Sequence, residues 1–252
     1  MKLRLLAMVF FITLMMACTT PPTPKNNMST PVPKQEYTRL VEYYPPLIQE
    51  EIDDAPALAV ESRRGIMVGE VVKLWTMFYD DELAPTDDPR RTKFQELAEY
   101  LVDAIIMYEN EPTDIGGQLP KNADTHLLLA TLITKESSVS PNVVGSLGEV
   151  GLMQLHGLSL AGYDPELVRN NTKLGVILGV RWFTYQTSLC KPNKISVDKD
   201  SWRIEDWSGP LSAYAGGPKA INKKTGKCQT YTLATNRINL TKMYRTRINS
   251  SM

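Results

Sequence analysis

The sequence predicts a mainly α-helical protein, and three observations predict it. Apolar residues recur at three- and four-residue spacing in Ile66–Tyr79, in Phe94–Tyr108 and in the run that ends at Glu136. No stretch sustains the period-two alternation of a half-buried strand, and no internal repeat is present. The punctuation between runs is polar and rich in Pro and Gly, as loops between helices are. The 252 residues suffice for one large domain or two small ones. With 28 basic and 28 acidic residues the chain is neutral, and it has no basic stripe with interleaved aromatics, so a nucleic-acid partner is not expected.

The first eighteen residues read as a targeting segment. Lys2 and Arg4 give a positive start, and Leu5 to Ala17 form an apolar stretch too short to span a bilayer. Ala17 then precedes Cys18, which resembles a bacterial lipoprotein signal cleaved before a lipidated Cys. Met15 stands where such signals usually carry Leu. The alternatives are an uncleaved anchor or an ordinary secretory signal. Lipid anchoring implies a cell-envelope, periplasmic protein on a membrane, the outer one before the inner. Loss of Lys2 and Arg4 leaves 26 basic against 28 acidic residues, a charge of −2. Residues 19–36 are rich in Pro and Thr and cannot bury a core. They form a tether that reaches about 50 Å at about 3 Å per residue.

Residues 37–115 form a helical N-terminal region. Ile66, Val68, Val71, Val72, Trp75 and Phe78 recur at roughly helical spacing, and Leu97, Leu101, Ile105 and Tyr108 do the same. Their aromatic residues read as core, and the region supports the rest of the chain or lines a groove. A break follows at Gly116-Gly117-Gln118-Leu119-Pro120, and 116–252 is read as the second domain. Asp124 is placed to cap the next helix. A short strand or hairpin over Asn193–Val197 is the one candidate for extended structure.

Chemistry points to Glu136. Leu129, Ile133 and Glu136 fall on one otherwise apolar face. A carboxylate there loses water and feels the negative end of the helix dipole, and both effects raise its pKa. An acid kept protonated near neutral pH is what a general acid requires. Only two histidines exist, His126 and His156. With Cys190 and Cys228 they match no trusted zinc spacing, so neither metal nor cofactor is expected. In an exported protein Cys190 and Cys228 are expected to pair; the alternative is two buried or free thiols.

Four motifs follow in order: Glu136-Ser137, Gly151-Leu152-Met153-Gln154, Asn171 with Gly175 at a helix start, and Ala213-Tyr214-Ala215-Gly216-Gly217-Pro218. In this order they resemble the lytic transglycosylases of the soluble type, over about residues 120–245. The resemblance implies a lysozyme-like fold and a peptidoglycan glycan strand as the partner of a monomeric enzyme. It implies cleavage of the β-1,4 bond between N-acetylmuramic acid and N-acetylglucosamine without water, leaving 1,6-anhydro ends. Glu136 is the implied acid and then base. Ser137, Ser146, Met153, Gln154 and Tyr214 are the implied substrate contacts. In the residue reading Met153 is an apolar wall, Gln154 an amide for an N-acetyl group or hydroxyl, and Tyr214 a ring that orients Glu136 or stacks on sugar.

Two departures stand out. Gly145 replaces the family's frequent Ser nine residues after the acid, with Ser146 beside it, and Ala215 replaces its Asn. Glu149 is the best second carboxylate, and pairing with Glu136 would make a muramidase-type hydrolase. The plainer reading puts Glu149 at the first turn of a Gly151–Gln154 helix, on its amides. Nothing in the sequence brings Asp164, Glu205 or Asp206 to the cleft. A further alternative is a glycan-binding lipoprotein with a decayed site.

Overall fold

The computed structural model describes residues 54–81, 88–121, 124–190, 203–222 and 228–251. They lie within one compact unit, Glu50–Met252. Cys18, the tether over 19–36 and the hairpin considered over Asn193–Val197 lie outside the described residues.

The described residues form seven α-helices: α1 (Asp54–Asp81), α2 (Phe94–Asn110), α3 (Thr125–Ser137), α4 (Pro165–Asn170), α5 (Thr172–Leu189), α6 (Ser208–Gly216) and α7 (Thr232–Ser250). Among them there is no strand, only isolated bridges such as Val144 with Val150 and Val150 with Leu155. No described helix is long and apolar enough to cross a membrane.

The fold is built around α3. Its residues from Thr125 to Thr134 are all buried, which is the behaviour of a helix apolar all round and enclosed by others. It packs against α1, α2 and α7, while α5 packs against α2, α4 and α6. Each fully buried Leu of α3 contributes about 1.5–3 kcal/mol relative to exposure. One core therefore runs from Met67 in α1 to Ile248 in α7. The region preceding the break belongs to that core. The Trp75 indole donates to the Ala130 carbonyl of α3 at 3.2 Å, and Glu70 meets His126 of α3 at 2.6 Å. Arg63 and Arg64 of α1 pair with Glu109 and Asp103 of α2.

The ends of the helices follow from local chemistry. Asp164 accepts from the Glu166 and Leu167 amides ahead of Pro165, and Asn171 accepts from the Leu174 amide at 3.0 Å, as expected of a helix start. Asp124 stands at the N-cap of α3, but its side chain makes no cap bond. It pairs with Arg245 of α7, which corrects the expected role. At the break, Gly117 has φ +91° and lies on α5, where a Cβ would stand 2.5 Å from the Thr184 carbonyl oxygen. Arg181 of α5 grips Asp114 of the same segment through two 2.6 Å bonds.

Gly151–Gln154 is a turn, not a helix. Gly148 (φ +87°), Gly151 (φ +76°) and Gln154 (φ +49°) sit in the left-handed region and interrupt any helical run. The turn is closed by Val150 and Leu155, which exchange two backbone bonds of 3.0 and 2.9 Å.

Candidate active site

Helix α3 delivers Glu136 at its penultimate position and then stops abruptly. Ser138 and Val139 both adopt left-handed backbone, at φ +50° and +56°. A buried β-branched residue there is strained by about 1–3 kcal/mol and persists only if its surroundings enforce it. Part of that enforcement comes from α1, where the Tyr79 hydroxyl donates to the Ser138 carbonyl at 2.5 Å. The strained corner turns the chain under a cleft of about 540 Å³. Glu136, Glu149, Gln154 and Tyr214 line that cleft, with Ser146, His156, Leu158 and Trp182 around them.

Glu136 is one-fifth exposed and pairs with Arg237 of α7, whose side chain is 4% exposed. Burial pushes the Glu136 carboxyl above its ordinary pKa. Arg237 opposes that rise, and the nearby charge of Glu149 adds to it. The outcome is an acid with raised affinity for its proton, held in place by a cation. Burial depresses the Arg237 pKa, with Glu136 opposing. Two of its nitrogens, Nε and Nη1, are buried without a hydrogen-bond partner, which leaves Glu136 as the anchor of the guanidinium among the described residues.

Tyr214 comes from α6. Its hydroxyl donates to the Met153 carbonyl at 2.6 Å, not to Glu136, so it fastens α6 to the turn beneath the cleft. Burial first, and the negative charge of Glu136 second, push its pKa well up, which keeps it a neutral donor. Gln154 lines the cleft and donates to the Gly151 carbonyl at 2.9 Å, leaving its Oε1 to accept. Ser146 is exposed at the rim.

Two expected contacts are placed elsewhere. Ser137 is buried, and its hydroxyl donates to the Ile133 carbonyl at 3.2 Å in its own helix. Met153 is 1% exposed and points into the core, where it fills the space left by Gly179 of α5. Neither side chain lines the cleft. Glu149 does line it, and its Oε2 accepts from the Leu147 amide at 2.9 Å, since no Gly151–Gln154 helix exists to present amides. Asp164 caps α4, Glu205 pairs with Lys242, and Asp206 accepts from the Arg203 amide.

Cys190, which follows α5, and Cys228 are joined in a disulfide with Cα atoms 5.4 Å apart. Gly209 of α6 lies against it, with room for a Cβ only 3.3 Å from each cysteine Cβ. The bridge thus braces the helix that carries Tyr214. Sequence reading missed Arg237 and Trp182. Arg237 is 101 residues from Glu136, and Trp182 sits in a helical run that reads as core.

The helical fold thus carries a half-sealed acid to the edge of a cleft. Residues 117–236 match the family model of the transglycosylase SLT domain, and the chain carries that domain. The match runs from the break before α3 into the first turn of α7, ending one residue before Arg237. Its family chemistry is cleavage of peptidoglycan glycan strands of the lytic transglycosylase type. No curated protein and no solved structure matches the chain.

Proposed function

We propose that the protein is a peptidoglycan lytic transglycosylase that cuts the β-1,4 bond between N-acetylmuramic acid and N-acetylglucosamine without adding water. The observation that carries this reading is the Glu136 carboxyl, raised in pKa by burial yet open to a sugar-sized cleft. In the first step Glu136 gives its proton to the bridging oxygen, and the bond from that oxygen to C1 of the muramic acid breaks. In the second step the C6 hydroxyl oxygen closes on C1, and its proton passes to the Glu136 carboxylate. The acid is restored and the product end is a 1,6-anhydro sugar. Such acid–base work supplies about 10²–10⁴-fold in rate, or about 3–5 kcal/mol.

The surrounding residues support these steps. Arg237 holds the carboxylate in one orientation and favours its ionised form once the proton has left. Gln154 presents a fixed amide to an N-acetyl group or hydroxyl, and the partly exposed Trp182 ring offers a face on which a pyranose can stack. The same proposal carries lipidation at Cys18 and a tether over 19–36, which would place the cleft in the periplasm, anchored to the outer membrane. Digestion of purified sacculi followed by mass analysis tests the reaction. Fragments lighter by one water than hydrolysis products are expected, and hydrated reducing ends alone would overturn the reading. A muramidase-type hydrolase is the second reading, favoured by the presence of Glu149 in the same cleft.

A further inference from the structure

Gly145 stands where the resembled family often carries Ser, and the structure supplies a reason for the change. A Cβ at Gly145 would overlap Glu149 Oε2 and would stand 2.6 Å from Gln154 Oε1 and 3.1 Å from Glu149 Cδ. Two acceptor oxygens therefore rest side by side on the bare backbone of Gly145. The seat is fixed from behind: the Gly145 amide donates to the Glu149 carbonyl at 2.8 Å, and the Leu147 amide donates to Glu149 Oε2 at 2.9 Å. Among the described residues, no ion pair or side-chain donor neutralises Glu149. Its carboxylate lines the same cleft as Glu136 and lies close enough for its charge to act there.

We propose that Glu149 is a working anion of this cleft, seated on Gly145 so that it faces the reacting sugar and stabilises the positive charge that develops at C1. The role rests on the transglycosylase reading, in which C1 becomes cationic between the two steps. A pre-oriented charge aimed at a developing opposite charge is an effective form of transition-state stabilisation. It also makes Gly145 a requirement and not a lost contact, because any side chain there pushes the carboxylate off its seat.

The same anion acts on Glu136. The charged and titratable groups around that acid are Arg237 from α7, Tyr214 from α6 and Glu149 from the loop, with His156 on the rim. Arg237 favours the ionised acid, and Glu149 favours the protonated one. Neutralising Glu149 therefore lowers the Glu136 pKa, and the pH above which turnover is lost moves down.

E149Q is the test, because the amide oxygen can still accept from Leu147 while the charge is gone. Release of anhydro-muropeptides from sacculi is expected to fall about 10²-fold, with the alkaline limb of the pH profile shifted to lower pH. Binding of a protonated N-acetyl iminosugar should weaken at least about tenfold, one fully developed charge contact being worth that much. Binding of the neutral N-acetylglucosamine trimer should stay within about twofold. G145A displaces the carboxylate by another route and is expected to lower release and move the limb in the same direction; because its Cβ also meets Gln154 Oε1, the comparison of charged and neutral sugars is made on E149Q alone. Wild-type turnover with an unmoved limb in E149Q, or equal weakening of the charged and neutral sugars, would overturn the proposal. The wild-type product mass judges the transglycosylase reading separately, since it does not depend on either variant.

Discussion

The two carboxylates of the cleft sit in opposite kinds of structure. Glu136 ends a helix enclosed on every side, beside a buried guanidinium and a strained corner. Glu149 rides on a loop whose neighbours Ser146, Leu147 and Gly148 are exposed, and one backbone amide and a missing side chain hold it. One acid is tuned by what surrounds it, the other by where it is seated. The difference teaches that burial decides proton affinity, whereas local backbone geometry alone can aim a charge.

The largest expected effect breaks the buried side of that contrast. Glu136→Gln should reduce anhydro-muropeptide release by about 10²–10⁴-fold with the thermal unfolding curve preserved. Undiminished release would refute the assignment of the acid. Arg237→Met comes next. Turnover should fall at least about tenfold as the carboxylate loses its orienting partner. Activity requires protonated Glu136, so it declines as pH rises through that pKa. Arg237 holds the pKa down, so its removal must move the decline to higher pH, opposite in sign to the shift expected for E149Q. Arg237→Lys keeps the charge and should leave the limb near its original place. A pH–rate series on the three variants checks both signs.

A smaller effect concerns the brace behind Tyr214. The Cys190–Cys228 bridge closes a 38-residue separation. Its loss in a double Ser variant should destabilise by about 3–4 kcal/mol, or about 6–15 °C in Tm, measured by calorimetry. The smallest effect is expected at Ser137. Its hydroxyl is committed to its own helix, so Ser137→Ala should change turnover by less than about twofold. A large loss would mean that Ser137 reaches the sugar after all.

Much of this site was legible in the sequence. The apolar spacing before Glu136 announced a helix with one face turned inward, where the structure encloses it on every side, and the order of the four motifs brought Gln154 and Tyr214 to the same neighbourhood. What motifs do not carry is the side of the backbone on which a residue emerges. Ser137 and Met153 lie within motifs yet turn inward, Ser137 because the next residue begins the left-handed corner, Met153 because Gly179 opens a hole for it. The Gly151–Gln154 run fooled helix reading because three left-handed positions lie within seven residues. Arg237 was invisible for a different reason: the helix spacing of α7 shows no apolar face strong enough to reveal that a cation points inward, and only packing against α3 does so.

That packing has a temporal consequence. Synthesised from its amino end, the chain possesses Glu136 roughly a hundred residues before it possesses the guanidinium that steadies it. The segment beginning at Thr232 brings two things to α3 at once, a packing face and the Arg237 guanidinium. On the proposed reading, a chain that stopped before Thr232 would carry the acid without the cation that orients it.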